Sequence, residues 1–132
     1  MINKSNAGIA LNTWIAYFFS FVWIYHGLVP KLLTMQEEEI TMITDVIPLS
    51  YDVGYWIVVV TGVLEILFGL LWLFYSRKSI LYVLQIIAFA GLMIGAVIGN
   101  LSYFVQPFNP FNYNLSLIVL SFVGYALYKE KR

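Results

Sequence analysis

Four long apolar runs separated by short polar stretches set the pattern of this chain. They fall at about 10–29, 54–75, 80–105 and 113–128. A helix rising ~1.5 Å per residue needs about 20 apolar residues to cross ~30 Å of hydrocarbon. The first three runs meet that length, and the fourth is short for a span. Pro30 bounds the first run. Its polar leader carries only Lys4 as a cation, and no small-x-small site follows, so the pattern predicts a retained span rather than a cleaved signal. Glu65 alone interrupts the second run. The turn Ser76-Arg77-Lys78-Ser79 predicts a helix hairpin between the second and third runs. The expected fold is all-α: one integral membrane four-helix bundle over residues 1–132.

The connecting stretches differ in character. Residues 30–52 hold Glu37, Glu38, Glu39, Asp45 and Asp52. Within them Met35, Ile40, Ile43 and Ile47 recur at helical spacing, which predicts a short amphipathic helix on the membrane surface over 34–47. A solvated acidic loop is the alternative. In the third run Gly91, Gly95 and Gly99 form two overlapping G-x-x-x-G steps, which place small residues on one face for close helix approach, with a ligand groove along that face as the alternative. The stretch 106–114 contains Pro107 and Pro110 among three aromatic residues and four amide side chains, and it reads as a turn-rich linker in the headgroup layer.

Composition places the chain outside the soluble class. It has 132 residues, 61% hydrophobic and 11% charged, with a mean hydropathy of +0.84. A soluble domain carries about 25% charged residues. Too few polar side chains exist here to form a hydrated shell, so lipid must solvate most of the surface. No cysteine is present, which excludes disulfides, thiolate metal sites and thiol redox chemistry by this chain.

Net charge is zero, but its distribution is lopsided. With four spans, Lys4, Arg77, Lys78, Lys129, Lys131 and Arg132 share one side, while Lys31 and the acidic stretch share the other. The positive-inside rule then predicts cytoplasmic termini. Trp14, Trp56, Tyr75, Tyr103, Tyr113 and Tyr128 fall near predicted span ends, as an aromatic belt requires.

Against this apolar background a few residues carry chemistry. His26, the only histidine, sits about one turn, ~5 Å, below the outer end of the first span. Lys31 lies at or just beyond that end, where it can snorkel. Glu65 lies ~16 Å down the second span, near the midplane. Such an acid must be protonated and hydrogen-bonded, or ionised against Lys31, His26 or a bound cation. Gly62 and Gly69 share its helix face, which points that face at protein. Asn100 and Asn114 stand near the outer ends of the third and fourth runs. The expected site is a ligand-binding polar pocket between the first two spans, lined by His26, Lys31, Glu65 and Asn100. Gln85, near the cytoplasmic end, reads as interhelical glue.

Known motifs exclude several classes. The chain has no phosphate-binding glycine loop, no H-E-x-x-H and no nucleophile elbow, so no residue is named as catalytic. One histidine does not supply bis-His haem ligation, and His26 with Glu65 is a poor metal set. No metal site and no nucleic-acid partner are expected.

The segment Phe21-Val-Trp-Ile-Tyr-His-Gly-Leu-Val-Pro-Lys31, followed by Gly62-x-x-Glu65-x-x-x-Gly69 and by Asn109-Pro110, resembles the DoxX-like family of small four-helix membrane proteins. The resemblance covers essentially the whole chain. It implies a bundle in the bacterial inner membrane and marks His26, Lys31 and Glu65 as the family's polar centre. The archetype of that family is the small subunit of a thiosulfate:quinone oxidoreductase, and other relatives associate with redox partners or assist membrane-protein assembly. Thiosulfate chemistry has no motif in this chain.

Two functions follow as expectations. One is binding of a hydrophobic or quinone-like ligand, since a quinone head needs an acid or histidine for proton exchange and its tail needs an apolar channel. The other is a non-catalytic accessory or assembly subunit that packs on another membrane protein. The expected partners are the lipid bilayer, a membrane or redox protein, and a second copy of the chain. A small transporter or channel is the weakest fit, since four spans are few and no internal repeat is evident.

Overall fold

A computed structural model describes residues 4–76 and 78–129, and their regular structure is entirely helical. Helix α1 spans Lys4–Leu28 and α2 spans Glu37–Val46. Then come α3 over Tyr51–Tyr75, α4 over Ser79–Gly99 and α5 over Pro110–Lys129. Four of these stretches, Ala7–Leu33, Tyr51–Tyr75, Ser79–Gly99 and Pro110–Lys129, are long and apolar enough to cross a membrane. Arg77, Lys131 and Arg132, which enter the charge argument for orientation, lie outside the described residues.

The first span does not stop at Pro30. The chain continues through Val29–Leu33 as one widened π-type turn, closed by Thr34 N–H donating to the Val29 carbonyl at 3.0 Å. Proline is tolerated in the first turn of a helical segment because its missing N–H has less to lose there. A wide turn also rotates the residues after it about the helix axis. Lys31 therefore points into the bundle and is only 7% exposed. The corner into α2 is made at Met35, whose φ of 43° is left-handed.

The third run also resolves differently. α4 ends at Gly99, and Leu101–Val105 form a separate 3-10 turn. Conversely α5 begins earlier than its apolar run, at Pro110. The side chain of Asn109 accepts the Asn112 N–H at 2.9 Å, and proline follows it as the first helical residue.

Close packing is concentrated between α1 and α3, and glycine makes it so. A Cβ on Gly62 would stand 2.9 Å from the Gly27 carbonyl oxygen and 3.0 Å from the Lys31 Cβ. A Cβ on Gly69 would meet the Ser20 carbonyl at 2.9 Å. The α4 glycines behave otherwise. Nothing lies within 4 Å of a Cβ built on Gly91 or Gly95, so the close approach expected there is not made inside the bundle. Helices gain nothing hydrophobic by leaving lipid for each other, so van der Waals contact and hydrogen bonds decide which faces meet.

A polar chain runs through the core and ties α1, α4 and α5. Trp23 Nε1 donates to Gln85 Oε1 at 2.9 Å, Gln85 Nε2 to Ser121 Oγ at 2.7 Å, and Ser121 Oγ to the Leu117 carbonyl at 2.7 Å. Toward the termini, Tyr82 donates to Asn12 Oδ1 at 2.6 Å and Asn12 Nδ2 to the Gly124 carbonyl at 3.3 Å. Gln85 and Ser121 are fully buried and mutually satisfied. Trp23 stacks on Phe89 with centroids 4.9 Å apart and meets Phe68 edge-on at 5.0 Å.

The two glycine sets separate in a substitution experiment. Gly62→Leu overpacks the α1–α3 crossing and is expected to cost about 1–3 kcal/mol or to prevent folding. Gly95→Leu enters open space and stays within about 0.5 kcal/mol of the parent. Thermal unfolding in a mild detergent, read by circular dichroism and by size-exclusion profile, checks both. A bundle indifferent to Gly62→Leu contradicts the packing described.

Candidate functional site

The wide turn at the end of α1 sets the site. It aims Lys31 at α3 one turn from Gly62, whose missing side chain makes room for the lysine stem. The Lys31 ammonium donates to Glu65 Oε1 in a direct ion pair. The two side chains are 8% and 11% exposed. The same ammonium lies 3.7 Å from Glu39 Oε2 on α2, a weaker and more exposed contact. One cation thus serves an intramembrane acid and an acid of the acidic loop.

Burying such a pair is costly. An unpaired acid at the centre of a span costs roughly 2.5–3.5 kcal/mol on insertion scales. Pairing recovers that cost only where the remaining lone pairs are also satisfied. Here they are not. Glu65 Oε2 is buried and has no hydrogen-bond partner among the described residues.

A cavity of about 540 Å³ opens beside the pair. Its walls come from the end of α1 (His26, Lys31), from α2 (Glu39, Met42) and from α3 (Glu65). The linker before α5 and its first turns close it with Asn109, Asn112, Tyr113 and Asn114. The His26 ring stacks on Tyr113, with centroids 5.3 Å apart and planes 20° from parallel. α2 sits across this end because Ile40, 1% exposed, packs at Gly54 of α3.

Of the residues singled out from the sequence, His26, Lys31 and Glu65 come together on this cavity. Asn100 does not join them. It is exposed, and its Oδ1 accepts the Ser102 N–H at 2.9 Å, capping the short turn that begins where α4 ends. Its helix ends one residue earlier, so the side chain is drawn into local capping. Asn114, 6% exposed, supplies the amide on the cavity wall instead. Glu39 and Tyr113 were not among the residues singled out for the pocket. Glu39 read only as one of three consecutive glutamates in the acidic stretch, with nothing in the sequence to set it apart from Glu37 and Glu38. Tyr113 read as a belt aromatic.

The donor set has a definite chemistry. Lys31 donates, the free Glu65 oxygen accepts, the Asn114 amide does both, and His26 can exchange a proton. Tyr113 and His26, stacked on each other, add an aromatic edge to the cavity wall. Among the described residues no group of three His, Asp or Glu side chains could hold a metal ion.

Helical bundle, glycine crossing and buried lysine–glutamate pair define a small multi-pass membrane protein with a polar site at one end. The chain belongs to the DoxX-like family, whose model matches residues 20–122. That stretch contains α2, α3, α4, the whole cavity wall and the last nine residues of α1. No curated protein and no solved structure matches the chain.

The pair is open to a double-mutant cycle. Lys31→Met or Glu65→Gln alone leaves one buried group unmatched and is expected to destabilise the bundle by about 3–5 kcal/mol for the lysine-only or glutamate-only state. The double variant is expected to recover a large part of that loss, since the desolvation cost leaves with both charges. Unfolding free energies measured in one detergent for the four proteins give the coupling, and strictly additive losses would contradict a direct pair.

Proposed function

We propose that this chain binds a hydrophobic, quinone-like molecule, holding its polar head in the cavity beside Lys31 and Glu65. The observation that carries this reading is the buried Glu65 carboxylate, with one oxygen held by Lys31 and the other facing no partner. The reduced, hydroxyl-bearing form of such a head can donate a hydrogen bond to that oxygen and so complete the shell. A volume of about 540 Å³ suits a single-ring head with substituents. His26, stacked on Tyr113 at the cavity wall, provides a site for proton exchange on reduction or oxidation by a partner protein. The charge bias of the loops favours cytoplasmic termini and a cavity at the outer side of a bacterial inner membrane.

A second reading has its own support. Gly91 and Gly95 on α4 leave room for another helix, which fits an accessory subunit that docks on a membrane partner. Gly95→Leu would then abolish the partner's co-purification while the bundle keeps its thermal stability.

The ligand reading is tested on protein released from its own membranes in native nanodiscs. Native mass spectrometry with an absorption spectrum of the same sample is expected to show a stoichiometric quinone, in its reduced form or oxidised during purification. In Glu65→Gln protein that stays folded in the nanodisc, the charge-assisted hydrogen bond from the reduced head, about 1.5–3 kcal/mol, is weakened, roughly ten- to hundredfold in affinity, and the ligand should be lost on purification. A folded wild-type protein without bound quinone, and indifferent to added quinone, overturns the reading.

A further inference from the structure

Glu65 borders a second space besides the polar cavity. A groove of about 530 Å³ runs between α3 and α4 on the flank of the bundle. Glu65 and Leu92 line both spaces. The rest of the groove is apolar, formed chiefly by Leu64 and Phe68 of α3, Leu84, Ala88 and Gly91 of α4, and Trp23 of α1 at its base. Three features make it a standing part of the fold. α3 packs on α1 and α4 packs on α5, so these two neighbours in sequence diverge. Trp23 is pinned between Phe68 and Phe89, with its N–H committed to Gln85, so the base offers only an apolar face. Gly91 has nothing within 4 Å of a Cβ position, which keeps the α4 wall low.

Leu64 and Leu84 are 57% and 44% exposed on helices that span the membrane, so the groove opens sideways toward lipid. The carboxylate thus stands where a polar space and an apolar, lipid-facing space meet. We propose that the α3–α4 groove is a lateral port: the ligand enters from the membrane, its apolar tail stays in the groove, and its head donates a hydrogen bond to Glu65 Oε2. The assignment rests on the ligand reading above and adds the route and the ligand class. That class is a membrane-dissolved amphiphile with a hydroxyl-bearing head, such as a tailed hydroquinone or phenol. An ionised carboxylate only accepts, so a head without a donor leaves Oε2 unmatched. A lipid acyl chain in the groove would leave it unmatched too. A water-borne ligand entering by the polar cavity has no use for 530 Å³ of apolar groove.

Photolabelling locates the tail directly. The probe is a hydroquinone with a ten-carbon tail ending in a diazirine, added to the full-length protein in phosphatidylcholine nanodiscs. After photolysis, peptide mapping should find the label on the Phe68 and Leu84–Ala88 segments. That labelling should fall at least about tenfold in Glu65→Gln, and equally with excess unlabelled decylhydroquinone, which marks it as site-bound rather than lipid-dissolved. Gly91→Phe fills the groove from open space and should remove the groove label, and Leu84→Trp provides the same block from a different position. Glu65-dependent label on residues 107–113 instead would overturn the lateral port while leaving the cavity as the head site. Absence of any label that Glu65→Gln or competitor reduces overturns both the port and the ligand reading.

Discussion

One ion pair constrains the rest of this molecule. A carboxylate inside a span is unstable in hydrocarbon unless a cation reaches it, and among the described residues the cation that reaches it is Lys31, five residues after His26. Bringing it there requires the first span to continue past a proline. The widened turn Val29–Leu33 does that, and it converts a residue placed to snorkel into one buried against α3. Glycine is required opposite, since any side chain on Gly62 would occupy the path of the Lys31 stem. The motif His-Gly-Leu-Val-Pro-Lys is therefore one device: Gly27 seats the helix crossing, Pro30 accompanies the wide turn, and Lys31 delivers the charge.

The remaining helices build the enclosure around that device. α4 and α5 are held to α1 by a buried polar chain from Trp23 through Gln85 to Ser121, which fixes their rotation as apolar contacts in lipid cannot. Asn109 and Pro110 start α5 where its first turns face the pair, and Ile40 at Gly54 lays α2 across the mouth. The enclosure is incomplete on one flank, between α3 and α4, and that is where Glu65 meets the lipid-facing groove. The site thus joins an acid, a cation and an aromatic stack to both a polar and an apolar space.

Much of this was legible in the residues, for physical reasons. Hydropathy over 20-residue windows dominates where a chain meets lipid, so the four spans were readable, though their ends shifted by capping: α4 stops at Gly99 and α5 starts at Pro110. Glu65 and Lys31 stood out because charge is rare in such a chain. Their direct contact was not derivable from depth alone, because rise per residue along a straight helix says nothing of a wide turn at its end. The α4 glycines misled in the opposite sense: G-x-x-x-G spacing reports a face able to pack closely, and here Gly91 and Gly95 face open space while Gly27, Gly62 and Gly69 make the tight crossing. Asn100 and Asn114 looked alike in sequence, and only the local turn after Gly99 separates the cap from the cavity wall.

Everything in this arrangement turns on a salt link between Lys31 and Glu65 within the bilayer. Solid-state NMR on protein in lipid, with lysine labelled at Nζ and glutamate at Cδ, measures it directly through the nitrogen–carbon dipolar coupling. A coupling characteristic of hydrogen-bonded groups, together with a carboxylate chemical shift, and both absent in Lys31→Met, is the expected result. An uncoupled Lys31 with a protonated Glu65 carboxyl would contradict the account.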